Sequence, residues 1–206
     1  YEIIVVDDGS DDATVDRTRE KLSADVPLRI IRLKNNSGQS FALATGIREA
    51  RGGWIATLDG DGQNDPRDIL KLLKNSYTVV ACPEAHVWLG NRTERHDVWS
   101  KRIASTVGNK VRGLFLGDET PDSGCGIKLF SRDLFIALPY FDHMHRFLPA
   151  LFMRHGAILH SISVSHRARR SGESHYSNSQ RLCVGIVDLL GVYWLMHRMK
   201  TSGVCS

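Results

Sequence analysis

Trp54-Ile55-Ala56-Thr57-Leu58-Asp59-Gly60-Asp61-Gly62-Gln63-Asn64 is the most informative stretch of this 206-residue chain. The apolar run Trp54–Leu58 predicts a buried strand that stops at the first aspartate. Two carboxylates one residue apart, separated by glycine at a strand end, can turn toward one hard cation, and Gln63 adds a neutral oxygen. Oxygen-only ligation suits Mg2+ or Mn2+, which keep open positions for substrate phosphates. Alone, Asp-Gly-Asp reads equally well as a turn. The strand in front of it and a second acidic strand end upstream favour a site.

That second end is Ile3-Ile4-Val5-Val6-Asp7-Asp8-Gly9-Ser10. Four β-branched apolar residues in a row predict a parallel strand covered on both faces. Asp-Asp-Gly-Ser breaks it, and Asp11-Asp12 offer a cap and dipole-compatible acids for a following helix. Acids at the carboxyl ends of two parallel strands converge on the crevice where open α/β sheets take ligands. Asp7 and Asp8 can accept hydrogen bonds there from a ribose or a base; the competing role is structural capping.

Outward from these two stretches the chain alternates. A helix is predicted over Ala13–Ser23 and a strand over Leu28–Leu33. Apolar residues Phe41, Leu43, Ala44, Ile47 and Ala50 predict a helix over Gln39–Ala50, stopped by Gly52-Gly53. Pro66 reads as the first residue of a helix carrying Ile69, Leu70, Leu72 and Leu73. A longer helical pattern over about Val98–Phe115 leads into the glycine-rich loop Gly117–Gly126, and Gly126–Phe130 and Ile158–Val164 read as strands. The expectation is an α/β fold with a mostly parallel, mixed sheet flanked by helices. Residues 1–165 are expected to form the catalytic domain, with 166–206 a basic loop and an amphipathic helix of the same domain.

With 42% hydrophobic residues the chain can build one sizeable core. Cys82, Cys125, Cys183 and Cys205 show neither zinc spacing nor a disulfide framework, which reads as a reducing compartment. The net charge of +4 has an address. Residues 1–159 carry 21 basic and 21 acidic side chains, whereas residues 160–206 carry six basic and two acidic ones. The base-stacking aromatics of a nucleic-acid surface are missing from that segment, so no nucleic acid is expected. A membrane with anionic headgroups or a phosphate-bearing substrate explains it better. Within Arg181–Met199 the apolar core Cys183–Met196, interrupted by Asp188, has 14 residues. A spanning helix needs about 20, so the expectation is an interfacial helix or one packed on the protein's own core.

Val5-Val6-Asp7-Asp8-Gly9-Ser10, Asn36-Ser37-Gly38-Gln39 and Asp59-Gly60-Asp61-Gly62-Gln63 together resemble the inverting family 2 glycosyltransferases. His145-Arg146-Phe147-Leu148-Pro149-Ala150 and Arg169-Arg170-Ser171-Gly172-Glu173-Ser174 are similar to the branch that makes polyprenyl-phosphate sugars. The resemblance implies a GT-A type fold, a UDP- or GDP-sugar donor, a polyprenyl phosphate acceptor, and work at the cytoplasmic face of the membrane. If the C-terminal helix packs internally, the protein is cytosolic. Self-association stays open. The family normally carries one more strand and helix before a segment like Tyr1–Ser10, so residues upstream are expected.

Carried onto this sequence, Asp7, Asp8, Gly9, Ser10, Gly38, Asp59 and Asp61 would bind the donor, and Asp59, Asp61 and Gln63 the metal. Asp122 is the candidate base, with a turn residue as its other reading. Arg102, Ser105 and Lys128 are candidates for the acceptor phosphate, and Arg169 for a lid arginine that reaches the diphosphate. Arg92 faces the sugar or the surface. His175 stands where relatives have lysine. The Gln-x-x-Arg-Trp motif of processive synthases is missing. Other readings are a transferase for a soluble or glycan acceptor, a nucleotidyltransferase, and an inactive nucleotide-sugar-binding module.

Overall fold

The structure, a computed structural model, describes residues 1–21, 25–92, 111–118, 120–167 and 178–198. The opening elements are β1 (Ile3–Asp7), α1 (Thr14–Lys21), β2 (Leu28–Arg32), α2 (Gln39–Glu49), β3 (Trp54–Thr57) and α3 (Asp68–Ser76). After them come β4 (His86–Arg92), helical residues 111–116 (α4), β5 (Lys128–Ser131), α5 (Arg132–Ile136), α6 (Leu148–Arg154), β6 (Ile158–Val164) and α7 (Asn178–Arg198).

Two sheets result. β1 and β2 pair in parallel from Ile3↔Leu28 to Asp7↔Arg32. The larger sheet runs β3-β5-β4-β6. In it β4 and β6 are parallel, while β5 lies antiparallel to both β3 and β4. Alternation along the central strands sorts the core onto two faces. Val87, Leu89 and Phe130 join Phe147, Leu148, Leu151, Phe152 and Val192 on one side. Trp88, Ile127, Leu129 and Val164 meet Leu72 of α3 on the other. Gly90 is required at the crossing of β4 and β5, because a Cβ there would stand 2.8 Å from Cys125 Sγ and 3.1 Å from the Ile127 carbonyl.

β1 is less covered than its apolar run predicts. Ile3 is 36% exposed and Ile4–Val6 are half-buried. Its ladder has one partner, β2, and its packing comes from α2, where Gly46 lets Val6 and Ile4 approach. β3 is similar, with Trp54, and Leu58 just past its end, each about 40% exposed. α1 buries no residue. Of the helix predicted over Val98–Phe115, residues 111–116 are helical and 98–110 lie outside the described residues. Cys82 is disulfide-bonded, which its spacing in the sequence gave no reason to expect, while Cys125 is free and buried.

Candidate active site

The N-terminus of α2 gathers the two acidic strand ends. Asn36-Ser37-Gly38 cannot continue a strand, because Gly38 takes φ +87° before Gln39 opens the helix. The Asp8 carboxylate accepts from the Ser37 amide at 2.7 Å and the Gly38 amide at 2.8 Å. Next in line, Gln39 donates its side-chain amide to Asp59 Oδ1 at 3.1 Å. The ends of β1 and β3 therefore meet at one helix terminus although they belong to different sheets. Asp7 is buried; its Oδ1 accepts from the Ser10 amide, and its Oδ2 lies 3.3 Å from Arg32 Nε. Gly9, at φ +76°, passes so close to the Asn35–Asn36 backbone that a Cβ would sit at 2.9 Å.

Asp59 lies against Gly126, the residue before Ile127 and β5. A Cβ at 126 would come within 2.8 Å of Asp59 Oδ1 and closer still to Oδ2. Thr57 holds that glycine in place by donating to its carbonyl at 2.6 Å. Burial raises the Asp59 carboxyl above the ordinary carboxylate range; Lys128 opposes the rise and the charge of Asp61 adds to it. Two carboxylates that repel each other at a polar loop form a donor pair that a divalent cation such as Mg2+ or Mn2+ would relieve. Asp61 shapes the loop as well, Oδ1 accepting from the Gln63 amide at 3.1 Å, with Gly62 at φ +73°.

Behind this pair lies a buried network of charges. Arg92, the last residue of β4, grips Asp122 in a two-point fork, Nε to Oδ2 at 2.6 Å and a terminal nitrogen to Oδ1 at 2.8 Å. Asp122 is thus an anchor for the Gly117–Gly126 loop, and the base assigned to it from the resemblance does not follow from this geometry. Arg92, in turn, faces a carboxylate. Arg112 in α4 ties the same loop at Asp118 Oδ2 (3.0 Å), the Thr120 carbonyl (3.0 Å) and the Ser123 hydroxyl. Lys128 is buried, donates to the Cys125 carbonyl and has its pKa lowered by that burial. Its charge acts on Asp59 and Asp122, which gives it a balancing role among these acids. Arg102, Ser105, Arg169 and His175 lie outside the described residues.

Two histidines belong to the site that sequence reasoning did not assign a role. His166 forms a β-bridge with Asn64, just past the Asp59–Gln63 loop, and beside it the Arg167 amide donates to the Gln63 carbonyl at 2.8 Å. Its signal was the same one used for the aspartates, a polar residue just past an apolar strand. His145, noted only within a motif, sits on the Ser40 hydroxyl of α2 at 2.8 Å.

The family model for glycosyl transferase family 2 matches residues 1–138. The chain belongs to that family. It is 36% identical to a dodecaprenyl-phosphate galacturonate synthase of Rhizobium johnstonii, over 98% of this chain and 60% of the relative. To an undecaprenyl-phosphate 4-deoxy-4-formamido-L-arabinose transferase of Proteus mirabilis it is 31% identical, over 86% and 53%. The chain thus spans a little over half the length of these curated family members. Glucosyl-3-phosphoglycerate synthase of Mycobacterium tuberculosis, solved with Mg2+ and UDP, shares the fold at a TM-score of 0.65 and 15% identity, over 91% of this chain and 68% of that one. The family fold is accordingly GT-A-like, with helices flanking mixed sheets.

Proposed function

We propose that the chain carries the catalytic domain of an inverting glycosyltransferase that moves a sugar from a nucleotide diphosphate donor to a polyprenyl phosphate. The observation that carries this reading is the meeting of Asp8 and Asp59 at the N-terminus of α2. Asp7 and Asp8, at the end of β1, receive the ribose or base. The positive end of the α2 dipole favours the donor's diphosphate. A Mg2+ or Mn2+ ion held by Asp59, Asp61 and Gln63 would supply further neutralisation of the leaving group.

The acceptor phosphate is anionic at pH 7, so its oxygen attacks the anomeric carbon without losing a proton. The bond from that carbon to the diphosphate breaks, and the nucleoside diphosphate leaves with the electron pair. That chemistry asks for no general base, which agrees with Asp122 being held by Arg92. Lys128 and Arg92 offset the negative charge of Asp59 and Asp122 within the crevice.

The acceptor's lipid chain gives α7 a task. One face of α7 packs on the core through Val192 and Met196, while Ile186, Val187, Leu190 and Trp194 stay more than half exposed. Asp188, the one acid in that apolar segment, turns away toward His143, at 2.9 Å. Phe115 of α4 joins the apolar surface by meeting Tyr193 edge to face. A helix that lies on the cytoplasmic leaflet fits these facts, and no helix among the described residues is long and apolar enough to cross a membrane.

The test is turnover of UDP- and GDP-sugars with a polyprenyl phosphate. Release of nucleoside diphosphate is expected, and Asp61→Ala should abolish turnover in Mg2+ or Mn2+ while the circular dichroism spectrum is unchanged. Release of pyrophosphate, or wild-type rates in that variant, overturns the assignment.

A further inference from the structure

Ser40 is fully buried in the first turn of α2, and both hydrogen bonds recorded at its hydroxyl go to His145. The His145 backbone amide donates to Ser40 Oγ at 3.2 Å. The hydroxyl therefore needs an acceptor for its own proton, and the His145 Nδ1 atom at 2.8 Å supplies it. This arrangement favours the neutral tautomer with its hydrogen on Nε2. No described residue takes Nε2 as a partner. The ring is half-buried, so this donor is neither satisfied by protein nor free in bulk water.

The surroundings show what such a donor is for. Ser40 follows Gln39, which holds Asp59, and Gly38, which holds Asp8. Asp142, three residues before His145, packs against Gly38, where a Cβ would come to 3.6 Å of its Oδ1. Arg146 and Lys128 act on the ring against protonation, and Asp142 opposes them. Burial and those cations hold the imidazole neutral, with a pKa lowered to about 4. An uncharged N–H beside a helix N-terminus suits an anionic oxygen.

Resting on the function proposed above, we infer that His145 is a substrate-contacting residue, whose Nε2–H donates to a phosphate oxygen of the bound donor or acceptor. Ser40 is its positioning residue. Donor diphosphate and acceptor phosphate offer the same oxygen chemistry, and the experiment separates them.

Three variants of the full chain carry the test. His145→Phe keeps the ring volume without the donor, His145→Gln restores an N–H near the Nε2 position, and Ser40→Ala releases the tautomer. Losing a hydrogen bond to a charged group is expected to lower kcat/KM on the order of 10–100-fold in His145→Phe. His145→Gln should recover most of it, and Ser40→Ala should fall between. Weaker binding of UDP or GDP by calorimetry assigns the contact to the donor. A raised KM for polyprenyl phosphate with unchanged nucleotide affinity assigns it to the acceptor. If the wild type transfers no sugar, the function reading fails on its own, and nuclear magnetic resonance still judges His145. Two-bond proton–nitrogen spectra should show the Nε2–H tautomer and a shift of that nitrogen on titration with pyrophosphate or inorganic phosphate. A folded His145→Phe protein with wild-type kinetics and nucleotide affinity, or a ring signal indifferent to both anions, overturns the inference.

Discussion

At the scale of single residues, the site depends on what is missing from Gly126 as much as on what Asp59 provides. A methyl group at 126 collides with the carboxylate, so Gly126→Ala should displace Asp59 or the start of β5. Overpacking of this kind costs about 1–3 kcal/mol. Thermal unfolding should show that loss, and metal-dependent turnover should drop about as far as in Asp59→Ala; a variant with normal melting and normal turnover would refute the close fit. His145 makes a prediction about acid. Its pKa lies below the ordinary 6.5, so its neutral form stabilises the fold fully above about pH 6.5. That contribution is lost as pH falls from there toward 4. Denaturant unfolding at stepped pH should find a shallower decline over this window in His145→Gln; parallel curves would contradict it. The acids were legible in the sequence because strand ends announce themselves by pattern. Gly126, Arg92 and His166 were not, since each acts on a residue 30 or more positions away, at a distance no local period records.

Among elements, α7 offers the clearest contrast between pattern and packing. The apolar segment read as either interfacial or internal, and the helix packs Val192 and Met196 inward while Leu190 and Trp194 face outward. Its exposed side chains recur at the spacing of one helical face, so they form a stripe. Each side chain of that size contributes about 1.5–3 kcal/mol when taken from water. The full chain should sediment with anionic vesicles at low salt and less so as salt rises. Val187→Glu with Leu190→Glu should prevent it while leaving the folded core intact; absence of binding by the wild type at low salt would remove the membrane role. Other elements divide the same way. α2, α3 and β6 follow from period and punctuation. The antiparallel direction of β5 does not, because orientation is set by the long connection that precedes it. β4 was legible only at its end, Leu89-Gly90-Asn91, because a run covered on both faces at Val87–Gly90 carries no alternation to read.

For the whole molecule, the division into two sheets sets unequal local stabilities. β1 and β2 have a single ladder and half-buried side chains, whereas the four-stranded sheet has core on both faces. Native-state hydrogen exchange should therefore show β1 and β2 amides opening at lower free energy than those of β4 and β5. Equal protection in both sheets would refute that ordering.

The bonds between the smaller sheet and the rest run through α2 and the residues after it: Asp8 to Gly38, Arg29 to Glu49, and Glu2 to the Arg51 amide. When that sheet opens, Asp7 and Asp8 leave the crevice with it. If Asp7 and Asp8 hold the nucleotide as proposed, its affinity and sheet closure are one equilibrium measured from two sides. A nucleotide at 100 times its Kd would add about 2.7 kcal/mol to the closed state. That protection should reach β1 and β2 first and leave the slowest amides of β4 unchanged, so the donor would act as the smaller sheet's missing cohesion.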